Sequence, residues 1–99
     1  MDTAGRIVHL YGGQIGKSDG QLNAPVCLAI DTHNNVLVAD EFNDRLVLLN
    51  STLSRLSTLS SIPGATHQIY APRCLHLDTR TGLVFVGDYN GCVFVFDAK

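Results

Sequence analysis

Three groupings in the 99-residue chain come close to known chemical sites. Gly12-Gly13-Gln14-Ile15-Gly16-Lys17-Ser18 approaches a phosphate-binding loop. That loop needs four residues between its first Gly and the Gly-Lys-Ser, so that successive N–H groups wrap the phosphates. Gly12 to Gly16 leaves three, Tyr stands at position 11, and no helix signal follows. The stretch reads as a connecting loop. Cys74 and His76 lie two apart in an apolar run, which puts both on one face of a strand. Zinc asks for about four ligands, and the comparable stretch upstream offers only Cys27, with Ala29 in the place of the His. A buried cysteine also serves as a small hydrophobe. No metal and no cofactor are expected. Asp31, Asp40, Asp78 and Asp88 all follow apolar runs. Regular recurrence suits turn carboxylates that accept backbone N–H bonds. A catalytic centre needs unlike residues that converge, and no such Glu/His/Asn set stands out, so the chain is not expected to be an enzyme.

Composition narrows the class. The chain is 45% hydrophobic and 16% charged, which is a globular profile. A net charge of -2 gives no basic footprint for nucleic acid. No apolar run approaches the length of a membrane helix, so no membrane association is expected. The first residues, Met1-Asp2-Thr3-Ala4-Gly5-Arg6, lack signal-peptide order and a Gly at position 2. Three cysteines (Cys27, Cys74 and Cys92) make no disulfide framework. A cytoplasmic setting is expected, while the sequon Asn50-Ser51-Thr52 keeps an extracellular one open.

The elements that position these residues come in repeats. Pro25-Val26-Cys27-Leu28-Ala29-Ile30-Asp31-Thr32 matches Pro72-Arg73-Cys74-Leu75-His76-Leu77-Asp78-Thr79 at an offset of 47. Val36-Leu37-Val38-Ala39-Asp40 matches Val84-Phe85-Val86-Gly87-Asp88 at 48. Asn43 to Asn50 then matches Asn90 to Asp97 at 47 again. The insertion and deletion fall in turns, where length is tolerated. Apolar runs bounded by Asp, Asn, Gly and Thr read as strands at about 6–11, 26–31, 36–40, 45–50, 54–60, 73–78, 83–88 and 92–97. No long helix is expected. The first three strands of a repeat are apolar on both faces and must be covered on both sides. The fourth, Ser54 to Ser60, is half polar and fits an outer position. The expected fold is all-β, in antiparallel four-stranded blades of a β-propeller.

Pro25-x-x-Leu28-Ala29-Ile30-Asp31, then Val36-x-Val38-Ala39-Asp40, then Asn43-x-Arg45-Leu46-x-x-Leu49 resembles the NHL repeat. Gly12-Gly13 and Gly20-x-Leu22-x-x-Pro25 fit the approach to such a repeat. The second copy keeps Pro72, Asp78, Asp88 and Asn90, with Cys92 in the place of Arg45. The resemblance implies a six-bladed propeller of which residues 1–99 supply about two blades. Residues 5–11 would be a leftover outer strand, 25–60 a first blade, and 72–97 a second blade without its outer strand. It further implies a protein–protein interaction module that recruits partners or substrates, as in tripartite-motif ubiquitin ligases. Any ligase activity would reside in domains outside this stretch. An RNA-binding propeller is the alternative, and a metal-dependent propeller lyase or lactonase a further one.

Loops of one face are the expected partner-binding surface. Phe42 and Tyr89 each precede the Asn of their repeat, with Glu41, Asp44, Arg73 and His67 as flanks. Exposed loop aromatics bury large area at low entropic cost. The competing reading is that both rings plug the blade edge. Mixed charge favours a protein partner over RNA, although bases can stack on such rings. Two blades leave apolar faces and sheet edges open. The remaining blades of a larger chain, or self-association with three copies giving six blades, would cover them.

Overall fold

A computed structural model of the chain describes residues 9–60 and 68–97. Among these residues, seven strands form two antiparallel sheets. The first sheet is a meander of β1 (Pro25–Ile30), β2 (Val36–Asp40), β3 (Arg45–Leu49) and β4 (Arg55–Leu59). The second is a meander of β5 (Pro72–Asp78), β6 (Leu83–Asp88) and β7 (Val93–Asp97). Beyond the strands, the described residues hold one short 3-10 turn, Glu41–Asn43, and no α-helix. No helix is long and apolar enough to cross a membrane among them. Of the strand expected at 6–11, residues 6–8 lie outside the described residues. Residues 9–11 are not in a strand.

The two copies agree in register as well as in sequence. Ala39 pairs with Leu46, and Gly87 with Val93. Leu37 pairs with Leu48, and Phe85 with Val95. Each first strand carries a bulge at the same place, between Pro25 and Cys27 and between Pro72 and Cys74. The turn carboxylates match too. Asp31 Oδ1 accepts from the backbone N–H groups of His33 and Asn35, and Asp78 Oδ1 from that of Arg80. Such bonds close a turn without help from the rest of the chain.

Alternation along each strand gives every sheet two faces. The first sheet turns Cys27, Ala29, Leu37, Ala39, Leu46 and Leu59 toward the second. The second answers with Leu75, Leu77, Val84, Val86, Phe94 and Phe96. Ile69 completes this shared core. At the centre, Cys27 Sγ accepts from the Leu75 backbone N–H at 3.3 Å. Leu46 is fully enclosed, and truncating such a residue to Ala removes about 2–5 kcal/mol. The far face of the first sheet holds a smaller core of Val38, Val47 and Leu49, capped by Tyr11, Leu22 and Leu53.

Candidate functional site

The loop after β2 begins at Asp40, whose carboxylate sits in the protein interior. Its Oδ1 accepts from the Asn23 backbone N–H at 2.6 Å, and its Oδ2 from Asn43 Nδ2 and Arg45 Nε, each at 2.8 Å. Arg45 Nη1 and Nη2 donate to the carbonyls of Lys17 and Gln21, both at 2.9 Å. Asn43 also donates to the Gly16 carbonyl. The Gly12–Ser18 stretch is thereby clamped to the first repeat through its carbonyl groups. This network fixes the turn at Glu41–Asn43, whose N–H groups at Glu41 and Phe42 bond the carbonyls of Ala24 and Asn23.

In the second repeat one residue fewer does the same work. Tyr89 N–H reaches the carbonyls of both Tyr70 and Ala71. Asp88 Oδ2 accepts from Tyr70 N–H, as Asp40 does from Asn23. Cys92 cannot play the part of Arg45. Asp88 Oδ1 instead accepts the backbone N–H groups of Asn90 and Cys92. Between the repeats, Asp44 Oδ1 accepts from Ala71 N–H at 2.8 Å, locking the first loop to the second strand system.

These bonds bring five of the six loop residues singled out above into one cleft of about 410 Å³. Glu41, Phe42, Asp44, Arg73 and Tyr89 line it, joined by Tyr70 and Ala71. His67 lies outside the described residues. Phe42 and Tyr89 are 66% and 63% exposed, so neither ring plugs an edge within this chain. Tyr70 meets Tyr89 edge-on, with centroids 6.3 Å apart and an interplanar angle of 83°. Arg73 Nε donates to Glu41 Oε2 at 2.9 Å, and its guanidinium lies 5.8 Å from the Tyr89 ring centre. Glu41 itself is buried. Arg73 is the extra residue of the β5 bulge, and bulges re-aim side chains.

No family model matches the chain, and no curated protein does. The site must therefore be read from its own chemistry. Two carboxylates, one guanidinium and three exposed rings make a surface suited to a cationic group, held by carboxylate and ring faces together. Among the described residues no three His, Cys, Asp or Glu side chains come together as metal ligands. Cys74 and His76 both stand exposed on β5, away from the cleft.

Two site residues, Tyr70 and Ala71, escaped the sequence reading. Tyr70 has no aromatic counterpart, since Asn23 takes its place in the first copy. The signal that finds it is its position, two residues before the Pro that opens the repeat. A second cleft, of about 610 Å³, opens between the sheets near β4 and β7 and is lined mainly by apolar residues such as Leu37, Leu48, Leu59 and Phe96. The Asp31 carboxylate at its rim is engaged in its own turn. The Asn50 sequon is likewise a turn device, with Asn50 Oδ1 accepting from Thr52 N–H, Thr52 Oγ1 and Ser54 N–H.

Proposed function

We propose that the chain is a protein-recognition module, two repeats of an NHL-type β-propeller, whose loop-face cleft receives a cationic side chain of a partner. The repeat reading is supported by matching registers, matching bulges and matching Asp40 and Asp88 bonds. A role in recruiting substrates for a ubiquitin-ligase-type protein follows from the same resemblance. The free thiols of Cys27, Cys74 and Cys92 suit a reducing compartment such as the cytoplasm.

One observation carries the recognition reading. Phe42, Tyr70 and Tyr89 are exposed around a buried Glu41 whose charge is met by Arg73 of the second sheet. Exposed rings on a rigid frame are typical anchors of protein interfaces. The place of Arg73, between the Glu41 carboxylate and the Tyr89 ring, supports the cationic reading. RNA is the weaker reading, because the cleft holds two carboxylates against one guanidinium and repels phosphate.

A titration followed by amide chemical shifts tests this. The probes are a short Arg-containing peptide, its citrulline counterpart and poly(U). The Arg peptide should move the amides of residues 41–44, 70–73 and 89, and Phe42→Ala with Tyr89→Ala should abolish the effect. Equal shifts with citrulline would sink the cation reading. Shifts with poly(U) alone would favour RNA.

A further inference from the structure

The two repeats end their loops on matching positions with different chemistry. Asn43 and Asn90 are counterparts, and so are Asp44 and Gly91. Asp44 and Gly91 both hold positive φ, 54° and 84°. The N–H of each turns back to a carbonyl, that of Glu41 or of Asp88. The first pair is locked. Asn43 Nδ2 donates to the Gly16 carbonyl at 2.7 Å and to Asp40 Oδ2 at 2.8 Å, and Asp44 Oδ1 accepts from Ala71 N–H. The second pair is loose. Asn90 and Gly91 are both exposed. Among the described residues, the Asn90 side chain has no hydrogen-bond partner. The Gly91 nitrogen lies 3.4 Å from the Asp88 carbonyl oxygen, longer than an ordinary bond of this kind. A carbon added at Gly91 would meet nothing within 4 Å.

Asn90 is also the one asparagine of the sequence that glycine follows. Glycine has no Cβ and rotates freely, so its nitrogen reaches the preceding side chain unhindered. We propose that Asn90 is a site of self-modification, where the chain converts its own amide into a carboxylate. The Gly91 nitrogen attacks Asn90 Cγ. The N–Cγ bond forms, the Cγ–Nδ2 bond breaks, and the Gly91 amide proton leaves with Nδ2 as ammonia. Water then opens the succinimide ring. Attack at Cγ gives aspartate. Attack at the Asn90 main-chain carbonyl gives isoaspartate, whose backbone runs through the former side chain. The step needs water alone. Either product adds one negative charge beside Tyr89, a residue of the cleft. If the cleft receives a cation, as proposed above, that charge favours its partner.

Peptide mapping by mass spectrometry, after incubating the folded full chain in heavy-oxygen water, tests the proposal. Asn90 should take up heavy oxygen several-fold faster than Asn43, as aspartate and isoaspartate. Equal rates overturn the proposal. Gly91→Ala should slow the reaction several-fold, and an unchanged rate overturns ring closure by the Gly91 nitrogen. Asp44→Gly gives Asn43 the same neighbour, yet Asn43 should stay slower than Asn90, because its amide is held by Gly16 and Asp40. Equal rates in that variant overturn the part assigned to these bonds. Circular dichroism checks that each variant is folded, and the wild-type map needs no variant. Asn90→Asp carries the charge without lengthening the backbone. It should bind the Arg peptide more tightly than the wild-type chain does. Equal affinity overturns the effect on the cleft, and no binding to either chain overturns the cation reading. The peptide map decides the modification apart from both.

Discussion

Arg45 Nε donates to Asp40 Oδ2 at 2.8 Å in the interior of the first repeat, with both side chains withdrawn from water. Together they tie β2, β3 and the 16–23 loop into one network. Removing one member of a buried pair strands the other charge and costs about 3–5 kcal/mol. Arg45→Met should lower the unfolding free energy by that amount in urea titrations. Adding Asp40→Asn should recover part of the loss. Cys92→Ala, at the corresponding position of the second repeat, should cost far less, because Asp88 is served by backbone N–H groups there.

Acid should act through Asp31. Burial pushes its carboxyl up, but the backbone and side-chain N–H groups of Asn35 and the N–H and charge of His33 outweigh this and hold it below the usual range. A carboxyl depressed on folding stabilises above its unfolded value of about 3.9. That contribution is lost as pH falls through the lower folded value. Asp31→Asn should flatten the acid limb of a stability–pH curve measured by chemical denaturation. An unaltered limb would remove Asp31 from the account.

Ala24 and Ala71 hold φ of 62° and 47°, immediately before each repeat's Pro. An L-residue in this region carries about 1–2 kcal/mol of strain. Glycine relieves it but loosens the unfolded chain by about 0.4–1 kcal/mol. Ala24→Gly should therefore gain on the order of 0.5 kcal/mol, and Ala24→Val should lose more than that. Thermal unfolding midpoints report both.

Arg73 competes with any incoming cation for Glu41 and for the Tyr89 ring. Arg73→Ala should lower stability by about 1–3 kcal/mol, because it leaves the buried Glu41 carboxylate without its partner. It should tighten binding of the Arg peptide about fivefold, on the order of 1 kcal/mol. Glu41→Gln should weaken binding instead. Calorimetric titration separates the two, and weaker binding in both variants would show that Arg73 itself contacts the partner.

Six strands were legible from the repeat, because apolar runs bounded by Asp, Asn, Gly or Thr specify both length and turn, and β4 was legible from its own half-polar run. Pro25 and Pro72 marked where β1 and β5 begin. The loop aromatics Phe42 and Tyr89 were legible from their matching places before Asn43 and Asn90. Burial of Glu41 was not, since it depends on Arg73 arriving from the other sheet. Nor was the short turn at Glu41–Asn43, which forms because the 23–24 carbonyls accept its N–H groups. Both depend on contacts between segments far apart in sequence, which a local pattern does not encode.

The bulges separate two demands that strand residues ordinarily meet together. At each, Val26 or Arg73 is excused from the ladder, and both are exposed. The residue there can change without disturbing register or core. One repeat carries an aliphatic side chain at this place and the other a cation. A single substitution per repeat thus rewrites the chemistry of the loop rim, and an array of such repeats can diversify what it recognises on an unaltered scaffold.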